Sequence, residues 1–349
     1  MTRTINTTAA ALTAITTAAI LAFAGSGSST SQAEHSESAS AARSAQTQTA
    51  LQHATKVHVL PPASGRIETQ LRLRRGGVVP PAEKFRDDDE VENEENSNVA
   101  STKQLLYHTG AVQTSPHIYL VFWGSNWFTG GDPYGASAKL HNFFSGVSGS
   151  TWASPMKQFG SNYGTFTNPL GQYKGWIQDK TYIPAHPTQA DMIAAARRAA
   201  ATIGDTSYNA QYVIAMPWGV FDQYSMTQRA CAWHNYTYVN STQWVTYTAL
   251  PYMPYVDSAY HYSCGTGNVN GANGILDGVT INAGHEYAET VNDPSLNAWF
   301  DSDGSENADK CSWRNLANRT LANGMSFAVQ PMWSNLYRNT YGNGCLYSG

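Results

Sequence analysis

The chain has 349 residues, 42% of them hydrophobic, and a formal charge of −4 from 21 Lys and Arg against 25 Asp and Glu. A near-neutral balance without a basic stripe argues against nucleic acid as a partner. After the N-terminus no apolar run is long enough to span a bilayer.

Residues 1–33 read as a secretory signal peptide. Arg3 precedes an apolar run from Ala9 to Ala24, and small-x-small sites occur at Ala22-Phe23-Ala24 and Ser31-Gln32-Ala33. Residues 34–100 are rich in Ser, Ala, Gln and Glu, with Pro61-Pro62, Pro80-Pro81 and an acidic block from Asp87 to Glu95. Such a stretch buries too little apolar area to offset its ordering entropy, so it reads as a disordered linker or a propeptide. The propeptide is preferred, because Arg72-Leu73-Arg74-Arg75 and the Lys84 to Arg86 region are open to processing. The protein is expected to be exported, extracellular and monomeric, with no membrane partner.

All ten Trp, all twenty Tyr and all four Cys lie after residue 101, so residues 101–349 are expected to form one globular domain. In an exported chain Cys231, Cys264, Cys311 and Cys345 imply two disulfides with three possible pairings. Pairing sequence neighbours, Cys231 with Cys264 and Cys311 with Cys345, is preferred.

The apolar run His117 to Trp123, ending at Gly124, predicts a buried strand. Thr188 and Asp191 predict a capping box opening a helix through Ala201, with Gly204 ending it. Gln211 to Met216, stopped by Pro217, and Trp244 to Leu250 predict two further buried strands. Strands alternating with helices point to an α/β domain with a mixed sheet.

The most informative stretch runs from Asp277 to Asp309. It holds eight carboxylates, namely Asp277, Glu286, Glu289, Asp293, Asp301, Asp303, Glu306 and Asp309, and no Lys or Arg. Carboxylates crowded without counter-charges repel unless a cation sits between them. Residues 275–291 predict a helix stopped by Asn292-Asp293-Pro294, which puts His285 and Glu289 one turn apart on one face. This is the zincin layout: two metal ligands at i and i+4, and Glu286 after the first as general base. Here Glu289 replaces the usual second His, an acceptable zinc ligand that weakens the metal as a Lewis acid. With ten His and eleven Glu in the chain, His-Glu-x-x-Glu is expected by chance at about 0.01 copies. The competing reading is a helix whose polar face is simply solvated.

A third ligand is expected downstream from Asp309 or Glu306, at a spacing similar to that of thermolysin-like enzymes. The run Asp301-Ser302-Asp303-Gly304-Ser305-Glu306 reads as a calcium loop around Asp301 and Asp303, or as an exposed acidic turn. His234, His261 and Tyr260, all near cysteines, are the expected oxyanion partners.

Several short motifs carry a family resemblance. They are Tyr107-His108-Thr109-Gly110, Cys231-Ala232-Trp233-His234, Leu276 to Asn282 leading into the His-Glu segment, Asn292-Asp293-Pro294, Asn297 to Phe300, and Glu306-x-x-Asp309-x-Cys311. From about Gln104 onward the chain resembles a bacterial relative of the phosphate-induced, EXORDIUM-like family of secreted proteins. The resemblance implies secretion, and it implies no reaction.

The residues therefore predict a single α/β domain with a mixed sheet and a zincin-like active-site helix. The predicted activity is that of a secreted zinc-dependent peptidase acting on protein or peptide substrates. Zn²⁺ would sit on His285, Glu289 and Asp309 or Glu306, with Glu286, His234 and His261 as catalytic groups and Ca²⁺ near Asp301 and Asp303. The alternative is a non-catalytic extracellular or cell-wall-associated protein with a structural metal site.

Overall fold

The computed structural model describes residues 103–348, and the signal-peptide and propeptide expectations lie outside them. Five strands make the central sheet: β1 (His117–Trp123), β2 (Tyr173–Asp179), β3 (Ala210–Ala215), β4 (Trp233–Tyr238) and β5 (Trp244–Leu250). Their order is β2-β1-β3-β5-β4. The first three contacts in that order are parallel, and β4 closes one edge antiparallel to β5. The sheet is mixed, as expected. β2 and β4 went unread in the sequence because their polar residues interrupt any simple period.

The continuous apolar runs are buried on both faces, and side chains alternate between two cores. Ile118, Leu120 and Phe122 of β1 enter one cluster, while Val121 and Trp123 enter the other. β3 divides in the same way, with Val213 and Ala215 opposite Tyr212 and Ile214.

Six α-helices are found among the described residues: α1 (Ala136–Val147), α2 (Gln189–Ile203), α3 (Gln223–Gln228), α4 (Met253–Tyr260), α5 (Asp277–Asn292) and α6 (Asn335–Tyr341). The α2 helix covers one face of the sheet through Met192, Ala195, Ala196, Ala199 and Ala200. It begins at the expected capping box, in which Thr188 Oγ1 accepts from Asp191 N at 3.2 Å and Asp191 Oδ2 accepts from Thr188 N at 2.8 Å.

The other face is covered by α1 and α5. The α5 helix packs on α1, on β4 and β5, and on the hairpin strand Ser326–Val329, and all 16 of its residues are buried. Its polar face is therefore not solvated. Two glycines permit this depth. A Cβ on Gly278 would stand 2.2 Å from the Cys264 carbonyl oxygen, and one on Gly284 would meet the rings of Trp152 and Phe143 at 3.0 and 3.2 Å.

Both disulfides pair sequence neighbours, Cys231–Cys264 and Cys311–Cys345, as preferred from the sequence. Such bonds persist in oxidising compartments and fit an extracellular protein. Among the described residues no helix is long and apolar enough to cross a membrane.

Candidate metal centre

The polar side chains of α5 converge on a closed cluster. His285, Glu286 and Glu289 are at most 1% exposed. Helical spacing brings His285 Nε2 to 2.9 Å from Glu289 Oε1. Asp309 arrives from the loop after α5, with Oδ1 3.4 Å from His285 Nε2. The Cys311–Cys345 bond anchors that loop two residues beyond Asp309, and Asp309 N donates to Glu289 Oε1 at 3.1 Å.

His234 enters from the sheet. Trp233 belongs to the core on the far face, so alternation along β4 turns His234 toward α5. Its Nδ1 lies 3.1 Å from Glu286 Oε2 and 3.6 Å from Glu289 Oε2. Two groups of ligand atoms result, His285 with Glu289 and Asp309, and His234 with Glu286 and Glu289. Each group lies within 4.8 Å, and the two share Glu289.

The His285 ring is held from behind. Gln330 Nε2 donates to Ala308 O at 2.7 Å, which leaves Gln330 Oε1 to accept from His285 Nδ1 at 3.1 Å. With a proton on Nδ1 held by Gln330, the ring aims Nε2 at two carboxylates, and loss of the Nε2 proton frees a lone pair there for a cation. Glu289 Oε2 is buried without a hydrogen-bond partner, a costly arrangement unless a cation takes its lone pair. Gln330 sits just past the hairpin strand Ser326–Val329 and has no motif, so the sequence offered no signal for it.

Burial dominates the electrostatics. It pushes the Glu286 carboxyl from 4.5 up to about 8, with the His285 charge opposing and Asp309 adding to the rise. Glu289 also rises to about 8, through burial and then the Asp309 charge. Glu306 is driven well above its ordinary value by burial and then by Glu289 and Asp293. Burial opposes a charge on His285, yet Glu289 and Asp309 outweigh it and hold the ring well above 6.5. His234 is held below 6.5 by burial, against the pull of Glu289 and Asp293. A cation at the centre would reverse this demand for protons.

Of the two alternatives for a third ligand, Asp309 reaches His285 and Glu306 does not join that group. Glu306 is hydrogen-bonded to Asp293 and lies 3.9 Å from His234 Nε2. Asp293, read only as a helix stop, is fully buried, and its Oδ1 accepts from Asn297 N and Ala298 N at 2.6 Å each. His261 stays outside the cluster, exposed at the C-cap of α4, where its left-handed φ of 54° turns the chain. Tyr260 packs among Phe221, Tyr255 and Tyr262. Asp301 and Asp303, the residues of the expected calcium loop, belong to neither group of ligand atoms among the described residues, and each has a lysine partner. Buried Asp301 pairs with buried Lys310 at 2.7 Å, and Asp303 pairs with Lys103 at 2.5 Å on the surface.

The buried His/Glu cluster has the donors to hold a metal ion. The chain matches no family model, no curated protein and no solved structure.

Proposed function

We propose that this chain is a secreted zinc-dependent peptidase whose ion sits on His285, Glu289 and Asp309. The observation that carries the reading is His285 Nε2, fully buried and 2.9 and 3.4 Å from the Glu289 and Asp309 oxygens. Tetrahedral zinc with bonds of about 2.0 Å sets its ligands about 3.3 Å apart. Three protein donors leave a fourth position for water, as catalytic zinc sites do.

Zinc supplies a lowered pKa for that water and polarises the scissile carbonyl. Glu286, next to the first ligand, takes the water's proton and returns it to the leaving amine. Burial raises this carboxyl in the metal-free protein, and the adjacent ion would lower it again, toward the range in which it accepts a proton near neutral pH. His234, 3.1 Å from Glu286, orients that carboxylate.

The test compares the purified protein on a general protein substrate with and without a chelator, and repeats the assay in Glu286→Gln. Activity is expected to vanish in both cases while Glu286→Gln keeps its zinc. Activity that persists in the chelated protein would overturn the reading.

One observation favours a second reading. The donors are nearly all sealed, with Asp309 the most open at 7% side-chain exposure, and closed sites are characteristic of structural zinc. A non-catalytic extracellular protein of the EXORDIUM-like kind then holds the ion to fix α5 against the loop carrying Asp309. In that case chelation lowers the melting temperature, and no substrate is turned over.

A further inference from the structure

The cluster contains more ligand atoms than one ion can use. Glu289 faces two histidines with different oxygens, Oε1 toward His285 Nε2 at 2.9 Å and Oε2 toward His234 Nδ1 at 3.6 Å. Glu286 Oε2 completes the second side at 3.1 Å from the same Nδ1. These separations bracket the edge of about 3.3 Å expected between ligands of one tetrahedral ion, and they do so twice. Glu289 Oε2 is buried and has no hydrogen-bond partner, although the opposite oxygen of the same carboxylate accepts from Asp309 N. That open acceptor points at the second group.

Charge favours cations in the same place. Glu286, Glu289, Asp293 and Asp309 lie together with Glu306, which shares a hydrogen bond with Asp293. The nearby buried cation, Lys310, is paired with Asp301. Carboxylates crowded in a low-dielectric interior repel one another, and cations placed between them relieve that repulsion.

We infer that the cluster takes two divalent cations, the second on His234, Glu286 and Glu289, with the Glu289 carboxylate bridging the pair. The His285 group fills first, because Gln330 already fixes its imidazole and the Asp309 backbone already fixes Glu289. The second ion turns Glu286 from a proton acceptor into a ligand. On the peptidase reading, on which this consequence rests, the doubly loaded protein is the resting form.

The test uses the full secreted chain, stripped by a chelator and checked for native near-ultraviolet circular dichroism. It is titrated with Zn²⁺, and bound metal is counted after desalting. Wild type is expected to hold two ions per chain, and His234→Ala and His234→Asn one each. Loading wild type with Mn²⁺ reports the shared carboxylate as an exchange-coupled pair in electron paramagnetic resonance, a readout that needs no variant to fold. A single ion at saturation, two ions retained in both His234 variants, or two uncoupled Mn²⁺ ions would each overturn the inference. Hydrolysis is expected to rise with the first equivalent and fall with the second. Full hydrolysis at two equivalents overturns the resting form. Two coupled ions without hydrolysis at any loading leave the paired site standing and remove the peptidase, whereas hydrolysis with only one ion bound does the opposite.

Discussion

Gln330 Oε1 lies 3.1 Å from His285 Nδ1 and is committed to it, because the other end of the same amide donates to Ala308 O. The contact fixes which imidazole nitrogen carries the proton and which carries the lone pair. It also links the hairpin beside α5 to the loop that delivers Asp309. Partners of this kind tune metal affinity without touching the metal.

Gln330→Ala is therefore expected to weaken Zn²⁺ binding by about 10–100-fold while the fold persists. Competition with a chromophoric chelator measures it. Unchanged affinity would show that the ring is oriented by something other than Gln330.

The pH dependence of stability should change sign with metal. In the metal-free protein Glu286 and Glu289 titrate at about 8 and Asp293 at about 6, all raised by burial above 4.5 or 3.8. A raised folded pKa gives stability that is full below the unfolded value and lost as pH rises through the folded one. The chelated protein should thus lose stability between about pH 4 and 8. His234, whose pKa is lowered, opposes this trend at the acid end. Metal requires the deprotonated ligands, so the loaded protein should gain stability over the same interval. Thermal melts at several pH values, with and without chelator, distinguish the two slopes.

Asp301 and Lys310 form an ion pair with both side chains at 0% exposure. Lys310→Ala strands a buried carboxylate and is expected to cost about 3–5 kcal/mol, read as a lower denaturant midpoint. A surface pair such as Lys103–Asp303, about half exposed, serves as the control. Lys103→Ala should move the midpoint little.

Gly278 touches the Cys264 carbonyl so closely that a methyl group does not fit. Gly278→Ala should push α5 away from the Cys231–Cys264 bridge and cost about 1–3 kcal/mol. Gly324, in a left-handed turn with open space around it, probes backbone strain alone in the matching alanine variant. If the two variants lose equal stability, the close approach is not what the first one measures.

Cys311–Cys345 closes a loop of sequence separation 34 beside Asp309. Replacing both cysteines by Ser should lower stability by about 2–4 kcal/mol and weaken Zn²⁺ binding together, because the same bond restrains a ligand. A stability loss with unchanged metal affinity would separate the disulfide from the site.

The sequence by itself determined the features encoded within one element. The capping box at Thr188 and Asp191, the buried strand from His117 and the helix with His285 and Glu289 one turn apart each follow from local periodicity and caps. Local signals also grouped the carboxylates, since an acidic run without lysines is visible at any depth. What they could not carry was burial and direction. Only the tertiary structure sealed all of α5, selected Asp309 rather than Glu306 beside His285, and left His261 at the surface. It also paired Asp301 and Asp303 with lysines. His234 and Gln330 reach the cluster from 51 residues before His285 and 45 residues after it. Their places depend on which face of β4 and of the hairpin packs on the helix, and that choice is made by long-range burial, to which local pattern is blind.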